Sequence, residues 1–285
     1  MKIKKRRRKP PLFFMNKISQ LLHSNSNPLI MGVLNLTPDS FSDGGKFNQL
    51  GTALKHVEYM IEHGVDIIDI GAESSRPGAE IISVNEERAR LEPILKEIKK
   101  EFNFPISIDT YKPEIMRLSI DYEVDMINDI YALQKKGAID AVSNSNLLVC
   151  LMHMQNSPAN MQNSPSYENI VSEVGLFFKS RISECNKAGI KNERIIIDPG
   201  FGFGKTFEHN TDLFKNIDFF KRLSLPILIG VSRKSMVKKM VGDKENDIIQ
   251  ASVLMACLAI QKGARILRVH DVKETQNAIS VLQAL

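Results

Sequence analysis

The sequence predicts an α/β fold, a (β/α)8 TIM barrel built as a single domain with a short basic N-terminal extension. The chain has 285 residues, a normal length for one such barrel. Eight short apolar runs alternate with longer amphipathic stretches, and no segment is repeated along the chain. Polar residues follow nearly every run, at the end of the strand where such barrels carry their chemistry.

The apolar runs are rich in Ile, Val and Leu, and most of them do not alternate with polar residues. Strands that are buried on both faces need such runs, which indicates a parallel sheet. The runs cover residues 29–34, 66–70, 106–108, 126–127, 147–152, 194–197, 227–229 and 266–269.

Helix signals lie between the runs. Ser83 and Glu86 form a capping-box pattern, and Pro113 suits the first turn of a helix. Gly189 and Gly263 each follow a long helical pattern and suit the left-handed residue beyond a helix end. We therefore expect a helix after each strand, as the barrel requires.

The positive charge belongs to the N-terminal arm. Residues 1–38 contain eight Lys and Arg and no acidic residue, whereas the remainder has 30 basic and 33 acidic residues. We expect residues 1–27 to form a basic, flexible arm and residues 28–285 to form the catalytic barrel. A block of like charge usually stays solvated. Contact of the arm with RNA or an anionic membrane surface is the weaker alternative, and synthesis starting at Met15 is a third.

The three cysteines, Cys150, Cys185 and Cys257, form no CxxC pair and are far apart. This usage fits a reducing cytoplasm rather than a disulfide framework. No apolar run approaches the roughly 20 residues that span a bilayer. We expect a cytoplasmic protein with neither a nucleic-acid nor a membrane partner.

One set of polar residues at the strand ends carries cationic or amide groups, namely Asn35, Arg76, Arg268 and His270. Arginine suits two-point contacts with phosphate, and barrels commonly bind phosphate after their seventh and eighth strands. The Asn35 carbonyl is an acceptable magnesium ligand, since magnesium usually takes only one or two protein ligands beside phosphate and water. The set predicts a diphosphate site with magnesium.

A second set combines carboxylate and amide groups in apolar strands: Asp109, Asn128 and Asp198, with Lys234 nearby. Buried carboxylates need donors, which a flat heterocycle with a guanidine-like edge supplies in one plane. Any one Asp could instead cap the following helix. The convergence of several such groups on one end of the barrel favours a ligand site.

Two segments rich in turn-forming residues, 37–45 and 74–78, are predicted to be functional lids rather than plain connections. The segment 200–206, GFGFGKT, ends like a phosphate-binding P-loop. The spacing fails by one residue, because Pro199 stands where the first glycine is needed.

These motifs, taken in order, resemble the dihydropteroate synthases from about residue 29 to the C-terminus. The segments that carry the resemblance are MGVLNLTPDSFSDGG (31–45), DIGAESSRPGA (69–79), SIDT (107–110), IND (127–129), LMHM (151–154), DPGFGFGK (198–205), GVSRKS (230–235) and RVHD (268–271).

The resemblance implies a transferase of folate biosynthesis that is a sulfonamide target. The family joins 7,8-dihydropterin-6-ylmethyl diphosphate to 4-aminobenzoate, with release of diphosphate and formation of 7,8-dihydropteroate. It further implies magnesium as cofactor and a homodimer, for which the apolar helix expected over 247–262 is a candidate interface.

The implied site has four parts. The pterin is held by Asp109, Asn128, Asp198 and Lys234, with Met152 on its face. The diphosphate is held by Asn35, Arg76, Arg268 and His270, with Asn35 also facing the metal. The aminobenzoate pocket consists of Phe41, Ser75, Pro77, Phe203 and Ser235. The catalytic groups are Arg268, His270, Lys234 and Asp109.

Two residues depart from the family pattern. Ala72 replaces a glycine, and Ser75 replaces a threonine beside the aminobenzoate pocket. Two other functions stay open. One is methyl transfer from methyltetrahydrofolate to a corrinoid protein, which needs no diphosphate site. The other is a pterin-binding or RNA-associated protein without catalysis.

Overall fold

The protein forms the predicted eight parallel strands. The computed structural model describes residues 16–24, 27–37, 46–75 and 78–285. Every strand lies within two residues of its predicted run. The strands are β1 (Leu29–Asn35), β2 (Ile67–Gly71), β3 (Ile106–Asp109), β4 (Met126–Asp129), β5 (Leu148–Met152), β6 (Ile195–Asp198), β7 (Leu228–Ile229) and β8 (Ile266–Val269).

The sheet closes on itself to give a (β/α)8 barrel, as predicted. Neighbouring strands are parallel in the order β6-β5-β4-β3-β2-β1-β8-β7. A parallel bridge between Ile197 and Ile227 joins the two edges, and the Ile197 amide donates to the Pro226 carbonyl at 3.1 Å.

Helices cover the outside of the barrel and alternate with its strands. They are α1 (Lys17–Ser24), α2 (Lys46–Glu62), α3 (Val84–Glu101), α4 (Pro113–Asp121), α5 (Ala138–Ser143), α6 (Ile170–Lys187), α7 (Phe207–Lys215), α8 (Ser235–Val241), α9 (Glu245–Gln261) and α10 (Val272–Ala284). Short 3₁₀ helices lie at Asn192–Arg194 and Ile217–Leu223. None of the helices in the described ranges is long and apolar enough to cross a membrane.

The predicted helix ends are present. Ser83 caps α3 by accepting from the Glu86 amide at 3.1 Å, and Pro113 is the first residue of α4. Gly189 and Gly263 adopt φ values of +88° and +106° beyond α6 and α9. These positions disfavour a side chain, which explains why glycine ends both patterns.

The strands are buried on both faces, which accounts for their continuous apolar sequences. One face packs against the helices through residues such as Ile68, Ile108 and Ile127. The other face fills the lower barrel with a separate cluster: Ile18, Leu29, Met31, Ile67, Met126, Leu148, Cys150, Ile196, Leu228 and Ile266. Toward the carboxyl ends of the strands the interior becomes polar.

The expectation of a flexible arm over residues 1–27 is wrong for residues 16–24. Ile18 of α1 is fully buried in the inner barrel cluster, with Leu21 and Leu22 packed beside it. The Lys17 amide donates to Asp125 at 3.1 Å, and the Asn16 side chain donates to the Asp125 carbonyl at 2.8 Å. The helix forms because its apolar side chains cover the open lower end of the barrel. Residues 1–15 lie outside the described residues.

The strand register brings the polar ends of neighbouring strands together. Asn35 pairs with Gly71, Gly71 with Asp109, and Asp109 with Asn128. Residues paired across parallel strands share a face. The row therefore projects into the barrel at its carboxyl end, and Gly71 contributes no side chain to it.

Candidate active site

An open cleft lies at the carboxyl end of the barrel and contains most of the predicted site. Among its lining residues are Asn35, Ser75, Asp109, Phe203, Lys234, Ser235, Arg268 and His270. Three further predicted residues, Asn128, Met152 and Asp198, are nearly buried on β4, β5 and β6, with 4%, 4% and 5% of their surface exposed. The other three, Phe41, Arg76 and Pro77, lie outside the described residues.

Arg268 ties three strands together inside the cleft. Its Nε lies 2.7 Å from Asp69 Oδ2 on β2, and an Nη lies 2.9 Å from Asp109 Oδ2 on β3. Burial raises the pKa of Asp109 to about 7, although the Arg268 guanidinium opposes the rise. Burial alone would lower the pKa of Arg268, but the two carboxyl groups raise it overall. The cation is therefore held at a defined place.

Three buried polar atoms beside this ion set have no hydrogen-bond partner within the described chain. They are Asp69 Oδ1, Ser107 Oγ and Asn128 Oδ1, on the adjacent strands β2, β3 and β4. An unpaired buried acceptor costs roughly 1–3 kcal/mol. A flat ligand with several N–H donors would satisfy these atoms, as the sequence-based hypothesis of a heterocycle requires.

Lys234 connects the cleft with the segment after β6. Its ammonium donates to the Phe201 carbonyl and lies 4.5 Å from the centre of the Phe203 ring. Burial lowers the pKa of Lys234 to about 8, with Asp198 opposing the shift. Burial also raises the pKa of Asp198, which Lys234 opposes, and an Asp198 oxygen accepts from the Gly200 amide at 2.8 Å.

The end of β8 is connected to the segment after β7. Ser232 Oγ lies 3.1 Å from His270 Nδ1 and accepts from the His270 amide at 3.2 Å. Arg233 adopts a left-handed φ of +57° and forms an ion pair with Asp271 at 2.5 Å. His270, Lys234 and Arg268 all line the cleft, so a multiply charged anion would meet two cationic side chains there.

Comparison with known proteins identifies the architecture. The model of the pterin binding enzymes matches residues 31–270. Dihydropteroate synthase of Escherichia coli K12 is 46% identical over 259 residues, which cover 91% of this chain and 92% of the relative. That of Haemophilus influenzae is also 46% identical, over 91% of this chain and 94% of the relative.

The chain belongs to the dihydropteroate synthases.

Solved structures agree with this membership. The Yersinia pestis dihydropteroate synthase in a sulfonamide drug complex superposes with a TM-score of 0.85 at 43% identity, covering 91% of this chain and 94% of that chain. The Xanthomonas albilineans dihydropteroate synthase in complex with 7,8-dihydropteroate gives 0.80 at 35% identity, covering 91% and 93%. The family predicted from the sequence, and with it the transferase activity, is confirmed over the two alternative functions.

Two sequence departures from the dihydropteroate synthases have local explanations. Ala72 is buried in the helix-facing core, and it is not among the residues with a positive φ. Its backbone therefore has a shape that alanine adopts without strain. Ser75 lines the cleft, and it keeps the hydroxyl group that a threonine would carry.

Sequence reasoning assigned no role to Asp69, Glu73 or Lys112. Lys112 Nζ lies 2.5 Å from Glu73 and 2.6 Å from Glu87, and it donates to the Ile82 carbonyl at 2.8 Å. The contacts hold the segment after β2 that contains Ser75. Asp69 had a sequence signal as a charged residue within an apolar run, and Glu73 had one as a polar residue that follows this run. The partners of Lys112 come from separate elements.

Asp69→Asn is expected to lower the free energy of unfolding by about 3 kcal/mol, because a buried ion pair loses one charge and keeps the other. Activity should fall with it, since Arg268 loses a partner that orients it. Urea unfolding and steady-state kinetics measure the two effects.

Glu97→Gln is the matched control. It removes the acid of an exposed Lys100–Glu97 pair with a 3.1 Å separation, and such pairs contribute at most about 1 kcal/mol. If both variants lost the same free energy of unfolding, the buried pair of Asp69 with Arg268 would stabilise the fold no more than an exposed pair does.

Proposed function

We propose that this cleft condenses 7,8-dihydropterin-6-ylmethyl diphosphate with 4-aminobenzoate, giving 7,8-dihydropteroate and diphosphate. The observation that carries the proposal is the position of Arg268. On one side of Arg268 lie the buried carboxyl groups of Asp69 and Asp109, next to polar atoms that have no hydrogen-bond partner within the described chain. On the other side lies the cationic rim of the cleft. One end of the cleft thus suits a donor-rich heterocycle and the other an anion.

The pterin is bound in the polar interior of the barrel. Asp109, Asn128 and Asp198 accept hydrogen bonds from its ring nitrogen and amine groups, Lys234 donates to its ring carbonyl, and Met152 packs on its face. The orphaned acceptors on β2 to β4 support this placement. Binding the ring gives them donors, so part of the cost of burying them is recovered only when substrate is present.

The diphosphate lies at the rim against Asn35, Arg268 and His270, and Arg76 is assigned to the same group. Arginine has five N–H donors, and the described contacts of Arg268 use two of them. The remaining donors are available to the leaving group. Arg268 can therefore stay bound to its carboxylates while it stabilises a new negative charge.

Magnesium fits the donors at the end of β1. A Cβ built at Gly71 would lie 3.7 Å from Asn35 Oδ1, so this oxygen faces the space that Gly71 leaves. Oxygen ligands of this kind suit magnesium, with the rest of its shell coming from diphosphate and water. When bound, the ion would neutralise charge on the leaving group.

The aminobenzoate occupies the wall formed by Phe203, Ser75 and Ser235, with Phe41 and Pro77 assigned to the same pocket. The aromatic face of Phe203 packs against the ring, and the serine hydroxyls can donate to the carboxylate. Ser75 lacks the methyl group of the threonine that is common in the family. The contact with aminobenzoate, or with a sulfonamide, is smaller by that group.

The chain's own groups act mainly by electrostatics. As the carbon–oxygen bond breaks, the electron pair leaves with the diphosphate, and Arg268 and His270 stabilise that charge. The arylamine then forms the new carbon–nitrogen bond and loses its proton to the leaving group or to solvent. No protein nucleophile is required, so the catalytic roles of Arg268, His270, Lys234 and Asp109 are to bind, orient and balance charge.

Purified protein given both substrates and magnesium is expected to release diphosphate and form dihydropteroate in equal amounts. Arg268→Ala should lower kcat/KM by roughly 10²-fold or more, because the charge on the leaving group loses a positioned cation. The matched control is Arg117→Ala, an exposed arginine on the outer helix α4, which should retain wild-type kinetics. Pterin binding without turnover in the folded wild-type protein would contradict the proposal.

The kcat/KM of the reaction should decrease above about pH 8, where the Lys234 ammonium loses its proton. Burial is the main cause of this lowered pKa, so the charged donor is present below pH 8 and is lost above it. Lys234→Arg should shift the alkaline limb upward because arginine stays charged. An unchanged limb in that variant would assign the ionisation to another group.

A homodimer would cover an apolar surface on the last helices of the barrel. Its exposed residues are Met240, Val241, Leu254, Leu258 and Val281, with 46%, 40%, 61%, 40% and 62% of their surface accessible. Helix α9 packs against both α8 and α10, and exposed apolar patches mark protein interfaces. The cytoplasmic location remains a prediction. The three cysteines are free, which suits a reducing compartment.

Leu254→Glu is expected to give a monomer in sedimentation velocity, because it places a charge on this surface at a highly exposed position of α9. Leu176→Glu changes an equally exposed leucine on α6, with 64% of its surface accessible, and should leave the oligomeric state unchanged. Wild-type protein that sediments as a monomer would exclude the homodimer.

A further inference from the structure

The segment between β6 and α7, residues 199–206, forms one wall of the cleft and has an unusual backbone. Gly200, Gly202 and Gly204 adopt φ values of +69°, +82° and +61°. A Cβ at Gly200 would lie 2.0 Å from the His153 carbonyl oxygen, so only glycine fits there. The segment therefore packs its main chain directly on the chain that follows β5. Its cleft-facing residues include Phe203.

Side chains satisfy the carbonyls of this segment, beside one turn in which the Phe203 amide donates to the Gly200 carbonyl at 3.2 Å. All five consecutive carbonyls from residue 200 to 204 accept a hydrogen bond from a side chain, and buried carbonyls need such partners. Lys205 Nζ donates to Gly200 at 2.8 Å and Phe203 at 2.9 Å, Lys234 Nζ to Phe201, Gln162 to Gly202 at 2.5 Å, and the Tyr167 hydroxyl to Gly204 at 2.8 Å.

Lys205 is the only one of these donors that serves two carbonyls of the segment, and it is almost completely buried at 3% exposure. Its Nζ also donates to the His153 carbonyl at 3.2 Å and lies 3.0 Å from His153 Nδ1. It does not line the cleft, which agrees with the rejection of a P-loop. Burial lowers the pKa of Lys205 well below its usual value, and Asp198 opposes the shift.

Burying an amine is costly unless its donors are used. Here the donors connect three points: the end of β5 at His153, the start of the segment at Gly200, and the residue that faces the substrate, Phe203. Burial lowers the pKa of His153 to about 2, so its ring stays neutral. A neutral ring does not repel the Lys205 ammonium, which lies 3.0 Å from His153 Nδ1. Lys205 therefore links the Phe203 main chain directly to the end of β5.

We propose that Lys205 is a positioning residue for 4-aminobenzoate, acting through Phe203 without touching either substrate. This inference rests on the proposed function, which assigns Phe203 to the aminobenzoate pocket. The proposed function assigns the pterin to Asp109, Asn128, Met152, Asp198 and Lys234, and Lys205 hydrogen-bonds to His153, Gly200 and Phe203 instead. Loss of Lys205 should consequently weaken aminobenzoate more than pterin.

The test is Lys205→Met, which retains the length of the side chain and removes its donors. The KM for 4-aminobenzoate and the inhibition constant of a sulfonamide should rise about tenfold or more, as expected for carbonyls left unpaired. The dissociation constant of the pterin diphosphate, measured by calorimetry without aminobenzoate, should change by less than about threefold, below the tenfold step of 1.4 kcal/mol. A general loss of structure would weaken both.

Two further variants keep the test decisive. Lys262→Met removes a lysine that donates to the Lys215 carbonyl at 2.9 Å, away from the cleft, and should change neither constant. Tyr167→Phe removes only the donor to Gly204 and should shift aminobenzoate in the same direction by a smaller factor. It provides the readout if Lys205→Met does not fold.

Wild-type turnover is measured first, because its absence would contradict the proposed function and this inference with it. With an active wild-type enzyme, a folded Lys205→Met that weakens both substrates equally, or neither, would overturn the positioning role alone. If Lys205→Met fails to fold, an unshifted KM for aminobenzoate in Tyr167→Phe would do the same.

Discussion

The ion set formed by Arg268 with Asp69 and Asp109 is the constraint on which the rest of the site depends. Charges inside a barrel are costly unless they are paired, and this pairing connects β8 with β2 and β3 across β1. It also divides the interior into an apolar lower part and a polar upper part. The same division places polar atoms without a partner next to the fixed Arg268 cation. A substrate with a donor-rich ring and an anionic group needs both features in one site.

The barrel supplies rigid positions, but the walls of the cleft are formed by segments without regular hydrogen bonding. In two of them a buried lysine replaces that bonding. Lys112 holds the segment after β2 through Glu73 and the Ile82 carbonyl, and Lys205 holds the segment after β6 through three carbonyls. Both lysines thus fix cleft walls from behind. Preorganisation of this kind lets a site act by electrostatics, because its dipoles need no rearrangement during the reaction.

Much of the fold could be predicted because it depends on patterns local in sequence. Strands buried on both faces must be continuously apolar, so the eight runs were visible, and Ser83, Pro113 and Gly189 marked helix ends by local backbone chemistry. The first helix was missed. Lys17–Ser24 is short, follows a basic segment, and is stabilised by covering the lower end of the barrel. That requirement exists only once the barrel has closed.

The sequence by itself determined the barrel, the family and the identity of the polar residues at the strand ends. Those properties follow from hydrophobic patterning and from motifs in a fixed order. Only the tertiary structure decided how these residues combine. Arg268 and Asp69 are 199 positions apart, and Lys205 and His153 are 52 apart. Their pairing follows from strand register and barrel closure. The residues around one partner in the sequence do not indicate which distant residue it will contact.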